Sequence, residues 1–213
     1  MKGFLFASFG TTYDEARQRD ILVNYERLRQ AYPDDFCEIC FTSSIVRKRL
    51  SARDVHFQSP EAAIESAINA GVKELFVLCG LLLPGEEFEK LKNTLLSFRN
   101  NFDTIQVSRP LISQPEDIRF VAQTLSSIYP KRANTALVLM GHGTRFKSNA
   151  LYAALEDEFR SIGRDEVFIG TVEADPGISE IIEKVKLAGF NHVLLAPLMQ
   201  VAGDHALNDM AGD

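Results

Sequence analysis

Residues 70–85 read Ala70-Gly71-Val72-Lys73-Glu74-Leu75-Phe76-Val77-Leu78-Cys79-Gly80-Leu81-Leu82-Leu83-Pro84-Gly85. Between Leu75 and Leu83 only Gly80 lacks an apolar side chain, so neither face of a strand here is left for water. A strand apolar on both faces belongs inside a parallel sheet covered by helices. The stretch also recurs: Ala70-Gly71, Val72 to Leu83 and Gly85 align without gaps on Ala188-Gly189, Phe190 to Val201 and Gly203.

Outward from this strand, β-rich apolar runs alternate with amphipathic segments. Strands are predicted at Gly3 to Phe9, Phe36 to Phe41, Thr104 to Val107, Thr135 to Met140, Val167 to Thr171 and His192 to Leu198. Helical periodicity fills the intervals: Asp14 to Ala31, Ser44 to Leu50, Pro60 to Ala70, Glu86 to Phe98, Glu116 to Ser127, Asn149 to Ser161 and Gly177 to Leu187. Thr12-Tyr13-Asp14-Glu15 has the pattern of a capping box at the first helix. Such alternation predicts an α/β, doubly wound fold with parallel sheets and right-handed crossovers. Ser8-Phe9-Gly10-Thr11 closes the first strand and Gly141-His142-Gly143-Thr144 closes the strand where the pattern restarts. The chain therefore reads as two similar α/β domains, 1–126 and 127–213, with the helix Glu116 to Ser127 near the boundary.

Composition excludes several classes. The 213 residues carry a formal charge of −6, which argues against a protein that coats nucleic acid. No run of about 18 apolar residues exists to span a membrane, and Met1 to Ala7 is too short for a secretory signal. A cytoplasmic enzyme is expected. Cys37 and Cys40 form a C-x-x-C, but on a strand residues three apart point to opposite faces, so they and Cys79 read as structural. The chain has no G-x-G-x-x-G, no P-loop and no G-x-S-x-G, so neither a nucleotide site nor a serine nucleophile is indicated.

In doubly wound sheets ligands bind beyond the carboxyl ends of the strands. His142 follows one strand, Glu173 the next, and His205 follows the last by a short Gly203-Asp204 loop. Two imidazoles and a carboxylate suit a borderline divalent metal such as cobalt, nickel, iron or zinc. The same groups can also accept protons. His192 and His56 carry no such signal. Arg145 and Lys147 stand at a helix N-terminus, where a cation opposes the dipole and makes sense beside an anion. Arg47, Lys48 and Arg49 form a second basic cluster, which suits a carboxylate-fringed substrate and equally a solvated helix face.

Taken together, Ser8-Phe9-Gly10-Thr11, Phe41-Thr42-Ser43 before Arg47-Lys48, Met140-Gly141-His142-Gly143, Val172-Glu173 and Pro197-Leu198-Met199 through Asn208-Asp209-Met210-Ala211 resemble the anaerobic cobalt chelatases of cobalamin synthesis. The resemblance implies a chelatase-like fold: two flavodoxin-like, doubly wound parallel-sheet domains with a cleft between them. It implies insertion of Co²⁺ into sirohydrochlorin without ATP, hence no nucleotide, whereas related class II enzymes insert iron or nickel. Metal binding falls on His142, Glu173 and His205, with His142 and His205 catalytic. A neutral imidazole accepts a pyrrole proton, and a bent macrocycle exposes its nitrogen lone pairs. Ser8, Gly10, Thr11, Ser43, Arg47 and Arg145 are expected on the tetrapyrrole side of the site.

The internal repeat places Glu87 at the position of His205, so it too is expected to face the substrate, with a helix-start glutamate as the competing reading. Within enzymes the alternative is an iron or nickel chelatase; outside them, a carrier of metal or tetrapyrrole without turnover. The family continues past the segment resembling Asn208 to Ala211, while this sequence ends at Asp213. An open sheet edge and uncovered apolar surface there predict self-association or reduced stability.

Overall fold

A computed structural model describes residues 1–201 and Gly203. Its strands are β1 (Lys2–Ser8), β2 (Phe36–Phe41), β3 (Glu74–Cys79), β4 (Thr104–Val107), β5 (Thr135–Gly141), β6 (Val167–Thr171) and β7 (His192–Pro197). All pairings are parallel, in one four-stranded sheet ordered β2-β1-β3-β4 and one three-stranded sheet ordered β6-β5-β7. The helices are α1 (Asp14–Ala16), α2 (Val23–Ala31), α3 (Ser44–Ser51), α4 (Pro60–Asn69), α5 (Glu86–Ser97), α6 (Pro115–Ile128), α7 (Ala150–Ser161) and α8 (Ile178–Leu187). Parallel neighbours need long crossovers, and these helices supply them.

Contacts divide the described chain into two compact units. Met1–Pro110 with Gln200, Val201 and Gly203 forms the first, and Leu111–Met199 the second. Helix α6, expected near a boundary at 126, lies wholly in the second unit, where it packs on α7 and buries Ile118, Val121 and Ala122.

In the first unit β1 sends Leu5 and Ala7 to one face, with Ile64, Leu75, Val77, Leu91 and Leu95. Phe6 goes to the other, with Ile21, Ile39, Phe41 and Leu50. This is the period-two alternation of a strand buried on both sides. In the second unit Val138 and Met140 join Phe168, Ile181 and Val185, while Leu137, Leu139, Leu155 and Phe159 are buried as well. Arg164 and Glu166 form a buried ion pair in the same unit.

The repeat seen in the sequence holds in the backbone. Under the same gapless alignment, Pro60–Asn69 falls on Ile178–Leu187 and Glu74–Cys79 on His192–Pro197, so α4 and β3 match α8 and β7 end to end. Among the described residues no strand pairs with β7 on the side where β4 pairs with β3.

Two local expectations are corrected. The apolar run to Leu83 is strand only as far as Cys79, because Gly80, Pro84 and Gly85 divert the chain into α5, and Leu78 stays partly exposed. The capping box at Thr12 does not form: the N-cap is Tyr13, without a side-chain bond to the helix. The Thr12 carbonyl instead accepts from Arg53 at 2.7 Å. The predicted helix from Asp14 to Ala31 is continuous, but its middle, Arg17–Leu22, is a π-helix. Its first residue, Arg17, is buried and donates to Asp14 at 2.7 Å.

None of the three cysteines is disulfide-bonded. Burial pushes the Cys40 thiol up to about 12 and the Cys79 thiol up to about 11, so neither supplies a thiolate at neutral pH. The described residues contain no helix long and apolar enough to cross a membrane.

Candidate functional site

The ladder between β5 and β6 continues beyond the strands. Val172 N–H donates to the Gly141 carbonyl at 3.0 Å, and Glu173 N–H donates to the His142 carbonyl at 2.9 Å. The two bonds place His142 and Glu173 side by side at the carboxyl ends of neighbouring strands. Their side chains are half-exposed, with His142 Nδ1 3.8 Å from Glu173 Oε2. That separation is too long for a hydrogen bond.

His142 Nδ1 is also 3.1 Å from the Gly143 carbonyl. With Nδ1 assigned as the N–H donor in that contact, the imidazole keeps its lone pair on Nε2, the usual arrangement of a ligand histidine oriented by an outer partner. The pair thus offers an imidazole and a carboxylate. Among the described residues no group of three metal-ligating side chains assembles. His205, the third residue expected here, lies outside the described residues.

The loops carrying this pair are laced together. Gly143 has φ of +89°, and a Cβ on it would lie 2.8 Å from the Ala174 backbone nitrogen, so the turn tolerates only glycine. Asn149 Oδ1 accepts from Thr144 N–H at 3.1 Å, while its Nδ2 donates to the Asp175 carbonyl at 2.8 Å. Buried Thr171 donates its hydroxyl to the Ala174 carbonyl.

Tyr152, on α7, lies beneath the Gly141 to Gly143 backbone. Its phenol is pushed up by burial, an effect partly offset by hydrogen bonds with the backbone of Gly143 and His142. A Cβ at Gly141 would lie 2.5 Å from the Tyr152 hydroxyl oxygen. Tyr152, Asn149 and Thr171 were not singled out in the sequence. Tyr152 shares a helical face with Leu155 and Phe159 and therefore reads as core; only the destination of its hydroxyl marks it. We expect Gly143→Ala to cost about 1–2 kcal/mol in stability, from forcing a side chain into a positive-φ turn. Thermal melts check this, and the His142 loop should lose its geometry in the same variant.

The first unit repeats this scaffold with other chemistry. Thr42 N–H donates to the Ser8 carbonyl at 2.8 Å and Ser43 N–H to the Phe9 carbonyl at 3.3 Å. Phe9 therefore occupies the place of His142, and Ser43 that of Glu173. Gly10, with φ of +90°, matches Gly143. Ser43 is the N-cap of α3, its hydroxyl accepting from Val46 N–H at 3.3 Å.

The remaining expected positions are diverse. Ser8 is fully buried, and its hydroxyl donates to Gln200 Oε1 at 3.1 Å. Thr11 is buried, with its hydroxyl accepting from Tyr13 N–H at 3.3 Å. Arg47 turns its guanidinium onto the carbonyls of Phe41 and Thr42 at the end of β2, the latter at 2.9 Å. Glu87 is half-buried in the first turn of α5 and pairs with Lys90 at 3.1 Å. Arg145 is exposed just before the turn that leads into α7.

Comparison with known proteins gives a consistent set of likenesses. The family described as cobalt chelatase (CbiK) matches residues 2–213. A sirohydrochlorin cobaltochelatase of Salmonella typhimurium is 31% identical over 214 residues, covering 100% of this chain and 81% of its own. Sirohydrochlorin cobaltochelatase CbiKC of Nitratidesulfovibrio vulgaris is 30% identical, over 99% of this chain and 76% of its own. Among solved structures, SirB from Bacillus subtilis with Fe³⁺ matches with a TM-score of 0.68 over 99% of this chain and 81% of that one. At 15% identity this is a likeness of fold.

Proposed function

The chain belongs to the cobalt chelatase family, and on that premise we propose that it inserts Co²⁺ into sirohydrochlorin as a step of cobalamin biosynthesis. The observation that carries this reading is the imidazole and carboxylate of His142 and Glu173, 3.8 Å apart at adjacent strand ends. In the proposed reaction Co²⁺, a substrate rather than a resident cofactor, is taken up by His142, Glu173 and His205. As the metal enters the macrocycle, four pyrrole nitrogens replace these ligands and two N–H protons leave. Neutral imidazole is a competent acceptor for them near neutral pH. Displacement of bound metal and loss of two protons balance the reaction without a nucleotide.

Arg145, exposed beside the His142 loop, is proposed to meet a substrate carboxylate. We also propose Ser8, Gly10, Thr11, Ser43, Arg47 and Glu87 as tetrapyrrole-binding residues. The protein is proposed to act in the cytoplasm.

The test is to incubate the purified protein with sirohydrochlorin and Co²⁺, Fe²⁺ or Ni²⁺ in turn and follow the absorption spectrum. Saturable metallation fastest with Co²⁺ supports the reading. Faster metallation with another metal reassigns the metal, and a spectral shift without metallation makes the protein a carrier. Glu173→Gln keeps the shape and removes the charge. It should weaken Co²⁺ binding by about tenfold or more, as loss of a charged ligand or its support generally does. A direct Co²⁺ titration giving wild-type affinity would remove Glu173 from the ligand set.

A further inference from the structure

Among the described residues, β2 in the first unit and β6 in the second are edge strands, paired only with β1 and β5 respectively. In β6 the Glu166 carbonyl accepts from Leu137 N–H at 2.9 Å, and beyond the strand Val172 N–H donates to the Gly141 carbonyl at 3.0 Å. A strand alternates its bonding side, so Val167, Ile169 and Thr171 turn their N–H groups outward. Each of the three has an acceptor. Val167 donates to the Arg164 carbonyl at 3.2 Å and Thr171 to the Pro176 carbonyl at 2.8 Å. Ile169, between them, donates to a side chain, Glu156 Oε2, at 2.6 Å. Glu156 stands on α7, is 7% exposed, and shares its other oxygen with Arg160. The first unit repeats the arrangement. Thr42 N–H bonds inward to β1, so Ile39 and Phe41 face outward. Ile39 lies four residues before Ser43, as Ile169 does before Glu173, and its N–H donates to Glu38 Oε1 at 3.3 Å. Phe41 N–H, like that of Thr171, goes to a loop carbonyl, that of Gln58, at 3.0 Å.

We propose that Glu156 guards the edge of the second sheet: its carboxylate occupies the central outward amide of β6 and so keeps that strand from pairing with β6 of a second copy of this chain. A row of open strand amides is a template for another strand. At the two ends of this row the acceptors are backbone carbonyls of the adjoining turns, and only the middle depends on a side chain. The strand behind it suits self-pairing. Val167-Phe168-Ile169-Gly170-Thr171 has no charge and no proline and is β-branched at three of its five positions, the composition of segments that stack on their own copies. In the folded chain all five are buried. A glutamate is seldom buried unless its oxygens find partners, and Ile169 N–H and Arg160 supply them here. The equivalent amide meets a glutamate in both units, although one carboxylate comes from α7 and the other from β2 itself. The capping is therefore not a by-product of one shared helix.

The experiment compares Glu156→Ala, Glu156→Asp and Glu156→Gln with the unchanged full chain. Each is followed by sedimentation over a range of concentrations, by hydrogen exchange at the Ile169 amide, and by thermal melts. In dilute Glu156→Ala the Ile169 amide should exchange at least about tenfold faster than in wild type, the least that losing a bond to a carboxylate implies. Raising the concentration should produce larger species than the wild type forms, and exchange at Ile169 should slow again as β6 pairs between copies. Glu156→Asp, one methylene short of the amide, should fall between the two and serves as the test where the alanine variant does not fold. Glu156→Gln keeps an oxygen for the amide and should behave as wild type. A lower melting temperature with wild-type association in both Glu156→Ala and Glu156→Asp would make the residue merely structural and overturn the proposal. Association without concentration-dependent protection of Ile169 would put the contact elsewhere, with the same consequence. Equal association of the glutamine and alanine variants would show that the acceptor oxygen does not guard this edge.

Discussion

In a His142→Ala variant, cobalt insertion into sirohydrochlorin is expected to fall by at least about a hundredfold, the usual loss when a positioned proton acceptor is removed. The fold should survive. His142 is half-exposed, follows rather than belongs to β5, and its backbone carbonyl still accepts from Glu173 N–H at 2.9 Å whatever its side chain. Circular dichroism and thermal melts should therefore match wild type while the metallation rate collapses. Two further readouts separate the roles of the residue. A direct Co²⁺ titration reports ligation without the macrocycle, and the pH dependence of insertion reports proton transfer. Loss of both fits a residue that holds the metal and takes up a proton. Wild-type turnover in His142→Ala would remove the centre of the proposed mechanism, whatever the family.

The second large effect concerns stability. Arg164 and Glu166 form a buried pair in the second unit, with Nε to Oε1 at 2.5 Å and side chains 11% and 3% exposed. Arg164 also donates to the carbonyls of Tyr129 at 2.7 Å and Ser126 at 3.4 Å, so one guanidinium ties the end of α6 to the turn before β6. Lys131 approaches the second Glu166 oxygen at 3.3 Å. Removing Arg164 leaves the buried Glu166 charge with only the half-exposed Lys131 beside it, and breaking a buried pair in this way costs about 3–5 kcal/mol. Arg164→Ala is expected to lose that much in urea unfolding, whereas Arg164→Met with Glu166→Leu should recover much of it.

The same pair sets a pH dependence. Burial pushes the Glu166 carboxyl up, but the hydrogen bond from Arg164, its own backbone N–H, the Arg164 charge and Lys131 together outweigh burial and hold it below the usual carboxylate value. A carboxyl lowered in the folded state contributes stability above its unfolded value, near about 4.3, and loses it as pH falls through the folded value. Glu166→Gln should thus be less stable than wild type at pH 7, with the gap closing as pH falls below about 4. A gap independent of pH would show that the charge of Glu166 is not what stabilises this corner.

Much of this architecture is legible in the sequence alone. Period-two and period-3.6 patterns are local, so three strands, Phe36–Phe41, Thr104–Val107 and Val167–Thr171, have the bounds expected of them. The internal repeat was visible because α4 and β3 share with α8 and β7 a spacing that no insertion has disturbed. That His142 and Glu173 lie side by side was legible because a parallel sheet directs its strand ends to one rim: His142 follows β5 directly and Glu173 stands two residues past β6. Side-chain commitments were not legible. Arg47 in a basic cluster has the same sequence signature whether it faces solvent or, as here, closes onto the carbonyls ending β2. Thr12 and Glu15 have capping-box spacing, yet Arg53, 41 positions away, takes the Thr12 carbonyl and Tyr13 becomes the N-cap. Ser8 and Gln200 stand 192 positions apart, and nothing local to either announces their bond. Chain pattern specifies which faces are apolar and where strands end, whereas the partner of a polar group depends on whichever distant segment the folded backbone brings within about 3 Å.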